Sequence, residues 1–290
     1  MRKTVLIGIG LVIGSAAGAA DLSAIKQRGY LTVAEPENAA PFSAGAGGQE
    51  AGFDTALLAD LARAEGLEIR KVATSPAGLI AAVIEGRADL AVGGIEIARD
   101  RENLVTFTRP LADATATYLI RHDDARIHGI GDLDGRPFGI VGGTVAIAQL
   151  AQLEFRLAQA GGRLGPSSEF KATADGLDAL AGGRIDYLIA PTAVADALVA
   201  AEPDKLTRGE ALSSAAYFAW AVSSNGSELG ALLDKFFDAE ATNGALAKAQ
   251  TTAFGHAYPD LPTRWDGHDW WYARKDRPIH FPVPGNGEPD

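Results

Sequence analysis

The sequence predicts an α/β fold built from two similar lobes. Short apolar runs with strand character alternate with longer Ala- and Leu-rich runs of helical period, which is the pattern of parallel α/β architecture. A second observation is an internal repeat, in which Glu-Gly-Arg-Ala-Asp-Leu at 85–90 is echoed by Gly-Gly-Arg-Ile-Asp-Tyr at 182–187. The two arginines are 97 residues apart, about the size of one α/β lobe.

The predicted elements follow in order along the chain. Residues 53–65 predict a helix, because three leucines share one face and Gly66 can end the helix in a left-handed turn. In each copy of the repeat, the glycine is expected to end a helix while the arginine and the aspartate solvate the turn. The other predicted helices are 79–85, 147–159 and 174–180, and the predicted strands are 31–34, 69–72, 88–92, 138–141 and 187–189.

The first twenty residues have the three-part layout of a secretory signal peptide. Arg2 and Lys3 precede an apolar run at 5–13, which leads into the small-residue stretch 15–20. A membrane anchor is the alternative, but about 20 apolar residues are needed to span a bilayer, and this run breaks into Gly, Ser and Ala too early. We therefore expect export to the periplasm and removal of residues 1–20.

The composition excludes several classes of function. The chain has no cysteine, which excludes lipid attachment at a cleavage-site thiol, disulfides, thiol nucleophiles and Cys-ligated metals. A net charge of −11 repels phosphate backbones and anionic lipid, so nucleic acid and membrane surfaces are not expected as partners. The expectation is a freely diffusing periplasmic monomer without a cofactor.

Seven short motifs occur in an order typical of one protein family. They are Leu-Thr-Val-Ala at 31–34, Pro-Phe-Ser at 41–43, Ala-Gly-Phe-Asp at 51–54, Gly-Arg-Ala-Asp-Leu at 86–90, Arg101 ahead of Val-Thr-Phe-Thr-Arg-Pro at 105–110, Asp-Gly-Arg at 134–136 with Gly-Thr at 143–144, and Gly-Arg-Ile-Asp at 183–186. With these motifs, the span from Leu31 to about Phe254 resembles the family 3 extracellular solute-binding proteins of ABC importers.

This resemblance implies the type II periplasmic-binding fold, in which two α/β lobes are joined by two crossover hinge strands around a solute cleft. The crossovers are expected near 108–117 and 213–219. The implied division is a signal peptide at 1–20, lobe 1 at 21–113, lobe 2 at 114–212, a return to lobe 1 at 213–254 and an extension at 255–290. The implied partners are a small-molecule solute and the membrane permease of an ABC importer.

The resemblance also indicates candidate solute-binding residues. Arg101 matches the family arginine that grips a carboxylate through a bidentate pair, with a surface residue of a charged run as the alternative. Gly143 and Thr144 precede a helix, where backbone N–H groups and a hydroxyl either bind an anion or only cap the helix. Gly94, which follows Gly93, either lets backbone approach a ligand at an open strand end or makes a tight turn.

Phe42 and Thr192 complete the candidate set. Phe42 either covers an apolar part of the solute or belongs to the core.

No metal site is assigned, because the histidines and aspartates at 256–280 show no recognised ligand spacing. No catalytic motif of the common hydrolase, metalloprotease or nucleotide-binding types occurs, so an enzyme is not expected. A few relatives of this fold are cyclohexadienyl-acid dehydratases, and for that alternative Glu96 is the one candidate proton donor.

Two positions depart from the amino-acid binders of the family. Those proteins usually have Ser or Thr five residues before the arginine, where this chain has Glu96, and an acid five residues after the Asp186 position, where it has Pro191. An α-amino acid would lose its ammonium partner, and a buried unpaired ammonium costs several kcal/mol. We therefore expect a carboxylate-bearing solute other than a standard amino acid. Glu96 is expected either to pair with Arg99 or Arg101, or to face a cationic or hydroxyl-bearing part of the solute.

The segment after residue 254 is a further departure from the family pattern. It is expected to pack across lobe 1 as a strap, with docking of a partner as the alternative. Because some relatives work beside periplasmic quinoprotein dehydrogenases or carry pyrroloquinoline quinone, a dehydrogenase-linked role is a second hypothesis. The sequence does not separate it from uptake of sugar acids, opines or other organic acids. The aromatic residues of the segment are Tyr258, Trp265, Trp270, Trp271 and Tyr272.

Overall fold

The structure, a computed structural model, describes residues 22–44, 51–141 and 146–265. Three of the sequence predictions fall outside these ranges: the signal peptide at 1–20, the candidate residues Gly143 and Thr144, and the aromatic residues beyond Trp265. Among the described residues, no helix has the length and apolar character needed to cross a bilayer.

The described chain alternates helices and strands. The helices are α1 (Leu22–Arg28), α2 (Phe53–Glu65), α3 (Leu79–Ile84), α4 (Arg99–Glu102), α5 (Ala146–Gln159), α6 (Thr173–Ala181), α7 (Thr192–Ala201), α8 (Ser227–Thr242) and α9 (Ala245–Phe254), with short 3₁₀ turns at Pro76–Gly78 and Ile130–Leu133. The strands are β1 (Tyr30–Pro36), β2 (Asn38–Ala39), β3 (Ser43–Ala44), β4 (Glu68–Thr74), β5 (Leu90–Glu96), β6 (Val105–Phe107), β7 (Ala112–Asp113), β8 (Ala116–Arg121), β9 (Phe138–Val141), β10 (Ser167–Phe170), β11 (Tyr187–Pro191), β12 (Leu206–Arg208) and β13 (Tyr217–Ser223).

Two mixed sheets organise the fold, which confirms the predicted two-lobe α/β class. The first sheet has the order β4-β1-β5-β13-β6, with β7 paired to β13, and the second has the order β10-β9-β11-β8-β12. Strands β1, β4 and β5 run parallel, whereas β13 is antiparallel to β5. The chain passes from the first sheet to the second between Asp113 and Ala116, and it returns between Arg208 and Tyr217. The lobe boundaries at residues 113 and 212 stay a prediction.

Each sheet has its own apolar core. Helix α7 links the two cores. Along the chain it connects β11 and β12 of the second sheet, yet its Ala193 is buried in the apolar cluster of the first sheet. The largest buried side chains are Phe53, Trp220 and Phe237 beside the first sheet, and Tyr118, Phe138 and Tyr187 beside the second.

The two glycines of the internal repeat have the predicted role, whereas the aspartates do not solvate the turn as predicted. Gly86 and Gly183 end their helical segments with φ angles of 69° and 68°, in the left-handed region that favours glycine. Asp89 Oδ2 accepts a hydrogen bond from Thr32 N at 2.8 Å and pairs with an arginine of α1. Asp186 forms ion pairs with three arginines, Arg121, Arg126 and Arg136. Both aspartates therefore fasten the turn before a strand to neighbouring segments.

The bounds predicted for β5 were wrong. The sequence suggests a strand at 88–92 that ends before Gly93 and Gly94, but β5 runs from Leu90 to Glu96. Its pairing with β13 shifts register between Ala219 and Ala221, because the two glycines form a bulge with φ angles of 109° and 73°. The strand therefore continues past the glycines and places Glu96 at its last position.

Candidate functional site

The carboxyl ends of three parallel strands define the edge where a solute is expected. Strands β1, β4 and β5 end at the same side of the first sheet, and ligands of open α/β sheets bind outside such carboxyl ends. A cavity of about 420 Å³ opens there beside the ends of β1 and β4. It is lined by Pro36, Glu37, Ala73, Thr74, Ser75 and Pro76.

Glu96 is a buried acid at the end of β5. It is only 4% exposed, and its Oε1 accepts a hydrogen bond from Gln149 Nε2 at 3.1 Å. Burial raises the pKa of Glu96 to about 8, against smaller lowering effects of the Gln149 hydrogen bond and the Arg101 charge. Within the described residues it takes part in no ion pair, so its carboxyl group is held by a neutral donor alone.

Arg101 lies beside Glu96, although its guanidinium bonds the backbone rather than the carboxylate. It is the third residue of α4, and its Nη1 donates to the carbonyl oxygen of Glu96 at 3.4 Å. A guanidinium has five N–H donors, so most of them are available for another partner. Arg101 is partly exposed, as a group that meets a solute at a cleft surface must be. The structure thus brings together these two candidates from the sequence.

Phe42 lies in the core of the first sheet. It is 5% exposed and makes edge contacts with Phe218, Phe254 and Phe53, with ring centroids 4.8, 5.6 and 6.5 Å away. A Cβ atom on Gly94 would come within 2.7 Å of this ring, so the glycine is needed for the close approach of strand and aromatic ring. Contact of either residue with the solute stays a prediction.

Thr192 is the first residue of α7 and lies beside the first segment that crosses between the sheets. Its backbone N–H and its Oγ1 both donate to the carbonyl oxygen of Thr115, at 2.9 and 2.8 Å. The side chain is buried, and it ties the start of α7 to the crossing segment. Residue 191, directly before it, is the proline that ends β11, and its side chain has no polar atom for a solute.

Gln149 is a site residue that the sequence analysis missed. Its Oε1 accepts hydrogen bonds from Ala116 N at 2.9 Å and from Ser213 Oγ at 2.7 Å, while its Nε2 reaches Glu96. The first two partners lie on the two segments that cross between the sheets. A neutral glutamine in an amphipathic helix does not stand out in the sequence as a site residue. The hydrogen bonds of Gln149 to Glu96 and to the two crossing segments are seen only in the structure.

Two buried acids at the same edge were also missed. Asp54 is 1% exposed and accepts hydrogen bonds of 2.7 Å from Trp220 Nε1 and from Gly93 N, which holds the β5 bulge. Burial raises the pKa of Asp54 to about 7. Glu35 is 6% exposed, and its Oε2 pairs with Lys71 Nζ at 3.0 Å, while its buried Oε1 has no hydrogen-bond partner in the described chain. The sequence does contain a signal for Glu35, because an acid within the mostly apolar run 31–36 is unusual in a buried strand.

The described residues contain no group of three or more histidines, aspartates and glutamates placed to hold a metal ion. The polar groups that the structure places at this edge include acids, an arginine and backbone groups. A guanidinium and a buried carboxyl, side by side at the end of one strand, can receive opposite charges of a single small molecule.

Comparison with known proteins identifies the class. Residues 31–256 match the family described as bacterial extracellular solute-binding proteins, family 3, and the chain belongs to that family. The structure superposes on a mutant of ArgBP from T. maritima with a TM-score of 0.64 and 26% identity, covering 81% of this chain and 99% of that one. It also superposes on an amino acid ABC transporter substrate-binding protein from Streptococcus pneumoniae bound to L-arginine, with a TM-score of 0.65, 25% identity and coverage of 80% and 98%.

A curated relative gives a shorter match. A probable histidine-binding protein of Campylobacter jejuni is 30% identical over 115 residues, which are 40% of this chain and 45% of that protein. The chain thus matches less than half the length of this relative. The proteins named here are described as binding proteins, and none is described as a partner of a dehydrogenase.

Proposed function

We propose that this protein is a periplasmic receptor that captures one small carboxylate-bearing solute between its two sheets and delivers it to the permease of an ABC importer. Membership of the solute-binding family over residues 31–256 is the observation that carries this proposal. The signal-peptide pattern at 1–20 and the lack of cysteine support a periplasmic protein without a lipid anchor. The solute is returned unchanged, so the protein is not an enzyme.

The carboxylate of the solute binds Arg101. Its guanidinium is partly exposed at the end of β5 and uses one N–H toward the Glu96 carbonyl oxygen, which leaves a fork of donors for a carboxylate. Closure of the cleft would remove water from this pair and strengthen it. Arg101 is therefore the residue on which affinity depends most.

A cationic nitrogen of the same solute faces Glu96. The sequence leaves two roles for this acid, pairing with a neighbouring arginine or facing the solute, and no ion pair to Glu96 forms among the described residues. Burial raises its pKa to about 8 despite the nearby charge of Arg101, and an incoming ammonium or guanidinium would ionise the carboxyl and pair with it. The similar protein from Streptococcus pneumoniae is described as bound to L-arginine, a solute with a cationic guanidinium.

The solute is an amine-bearing acid other than the twenty standard amino acids. Pro191 occupies the position where the family resemblance implies an acid for the α-ammonium, and a proline side chain offers no acceptor. The acid of this site therefore lies on the first sheet, at Glu96, instead of on the second. N-substituted amino acids such as opines carry the required pair of charges without a primary α-ammonium.

A screen of thermal unfolding with three matched sets of compounds tests this proposal. The sets are carboxylic acids without an amine, amines without a carboxylate, and compounds with both groups, including opines and betaines. Of the three sets, only compounds with both groups should raise the unfolding temperature, whereas standard amino acids, whose amine is a primary α-ammonium, should not. Both Arg101→Ala and Glu96→Gln should reduce the shift. A best ligand without a cationic nitrogen, bound equally by the Glu96→Gln variant, would contradict the assignment of Glu96.

A dehydratase is the second candidate function, and the raised pKa of Glu96 is the observation that favours it. A carboxyl group that keeps its proton near neutral pH can act as a general acid. Incubation of the protein with a cyclohexadienyl acid separates the two functions. A binding protein returns the acid unchanged, whereas catalytic turnover that disappears in Glu96→Gln would replace the receptor proposal.

A further inference from the structure

The chain beyond α9 returns across the molecule as a strap, defined here as residues 255–265. Near its start, His256 Nε2 lies 2.7 Å from Asp196 Oδ2, and Tyr258 OH donates to the same oxygen at 2.9 Å. Asp196 belongs to α7, so the strap is first attached at the helix that links the two cores. The predicted packing of the whole extension across lobe 1 stays a prediction.

The strap ends beside the segment that carries Arg101. Arg264 Nη2 donates to Asp238 Oδ2 of α8 at 3.3 Å, and the next residue, Trp265, donates from Nε1 to Glu102 Oε1 at 2.9 Å. The indole ring also packs edge-on against Tyr217, with centroids 6.3 Å apart. Glu102 is the residue directly after Arg101, so the indole is fastened one residue from the proposed solute-binding side chain.

Helix α4 needs such an external attachment. It has only four residues, and its N-cap has no side-chain hydrogen bond. Its backbone is held by the bonds from Arg101 N to the Ala98 carbonyl at 3.0 Å and from Leu104 N to the Arg101 carbonyl at 2.9 Å. A single helical turn is not stable by itself, because nucleation costs more than one or two hydrogen bonds return.

We infer that Trp265 is a positioning residue for Arg101, acting through its hydrogen bond to Glu102 and its ring contact with Tyr217. This inference rests on the proposed function in taking Arg101 as the residue that binds the solute. Trp265 lies beyond residue 256, where the family match ends, so the device belongs to the extension of this chain. The extension thereby acts on the binding site without touching the solute.

Hydrogen exchange of the full-length, solute-free protein tests the inference without any ligand. Trp265→Phe keeps an aromatic ring and removes the N–H donor, while Glu102→Ala removes the acceptor. Both should speed amide exchange in a peptide covering residues 98–106 by about tenfold, the effect expected for loss of a hydrogen bond to a charged group. Glu102→Gln keeps an acceptor oxygen and should restore slow exchange. Arg264→Ala, the neighbouring strap residue that contacts α8, is the matched control and should leave this peptide unchanged.

The ionisation of Glu96 supplies a second readout that a purely structural tryptophan would not move. The charge of Arg101 lowers the pKa of Glu96, so a displaced α4 should raise it. A titration followed by NMR of labelled glutamate carboxyls should show this rise in Trp265→Phe and in Arg101→Ala. The inference would be overturned if the amide exchange rate at 98–106 did not change, or if it rose equally over the whole chain. An unchanged pKa of Glu96 in these variants would also overturn it. Both readouts leave the solute proposal untouched, because neither uses a solute.

Discussion

Gln149 Nε2 donates a hydrogen bond to Glu96 Oε1 at 3.1 Å, and this contact joins α5 to the end of β5. The same glutamine binds Ala116 and Ser213 on the two segments that cross between the sheets. A solute group that binds Glu96 therefore either displaces the Gln149–Glu96 hydrogen bond or binds beside it, at the junction of the two lobes. Binding and lobe movement are expected to be coupled through this side chain.

Replacing Glu96 by Gln should stabilise the solute-free protein in a pH-dependent way. The folded pKa of about 8 lies above the ordinary value of 4.5, so the folded state keeps a proton that the unfolded chain releases. The stability of the native protein should fall as pH rises from about 4.5 to 8, while a glutamine does not titrate. Near pH 8, the Glu96→Gln variant should therefore unfold at a higher temperature than the native protein. The difference should be about 2 to 4 °C for each kcal/mol of unfolding free energy that the native protein loses. Near pH 4.5 the two proteins should unfold at similar temperatures.

Thermal scans of both proteins from pH 4 to 9 measure this difference. Glu85→Gln, which alters an exposed glutamate at the end of α3, is the matched control. A difference between Glu96→Gln and the native protein that stays constant over this range would show that Glu96 is not a proton-retaining buried acid.

Loss of Arg101 should weaken solute binding strongly. Removal of a desolvated, charge-assisted pair costs roughly 2 to 5 kcal/mol, which is a loss of affinity on the order of thirtyfold to several thousandfold. Arg101→Lys should restore part of the affinity, because an ammonium keeps the charge but lacks the planar fork. Isothermal calorimetry with the best solute from the thermal screen measures both effects.

Arg63→Ala is the control for Arg101, since Arg63 lies on the exposed face of α2 and its guanidinium pairs with Asp60 of the same helix. Equal affinities of the folded Arg63→Ala and Arg101→Ala proteins would make Arg101 part of a solvated charge run.

Solute binding should close the two lobes. Within the described residues, the chain crosses between the sheets at two places, and such short crossing segments can act as hinges. Small-angle scattering should show a smaller radius of gyration with the solute than without it, and no change for Arg101→Ala at the same solute concentration. An unchanged radius in the presence of a tightly bound solute would defeat the hinge interpretation.

None of the twenty standard amino acids should bind tightly. An α-ammonium directed toward position 191 would meet the apolar ring of Pro191, and a buried unpaired ammonium costs several kcal/mol. Calorimetry with each amino acid checks this, beginning with L-arginine and L-histidine. Submicromolar affinity for any of the twenty would show that Glu96 or another acid replaces the missing partner.

Much of the fold could be predicted from local pattern. Helix α2 has the predicted bounds, because Leu57 and Leu61 face the core and Gly66 ends the helix with a φ angle of 63°. Helices α7, α8 and α9 were not assigned from the sequence, although Leu229, Leu233 and their apolar neighbours follow a helical period in α8. The bulge in β5 was missed because two consecutive glycines usually mark a strand end, and only the pairing with β13 shows otherwise.

The site could be predicted only in part. Glu96 and Arg101 lie five residues apart across a strand end and a short helix, so their proximity follows from local sequence. The positions of Gln149 and Trp265 depend on contacts over 53 and 163 residues, to Glu96 and Glu102. Such contacts are set by the arrangement of the sheets and by the path of the strap, for which a single sequence has no local signal.

The carboxylate of Asp196 limits how this chain can be shortened. Its oxygens lie 2.5 Å from Arg208 Nε, 2.7 Å from His256 Nε2 and 2.9 Å from Tyr258 OH. A cut after residue 256, where similarity to the family stops, would keep the first two contacts and remove the tyrosine. The end of the family match therefore falls between two residues that bind the same carboxylate, and a fragment trimmed to it would have a weaker attachment of the chain after α9 to α7.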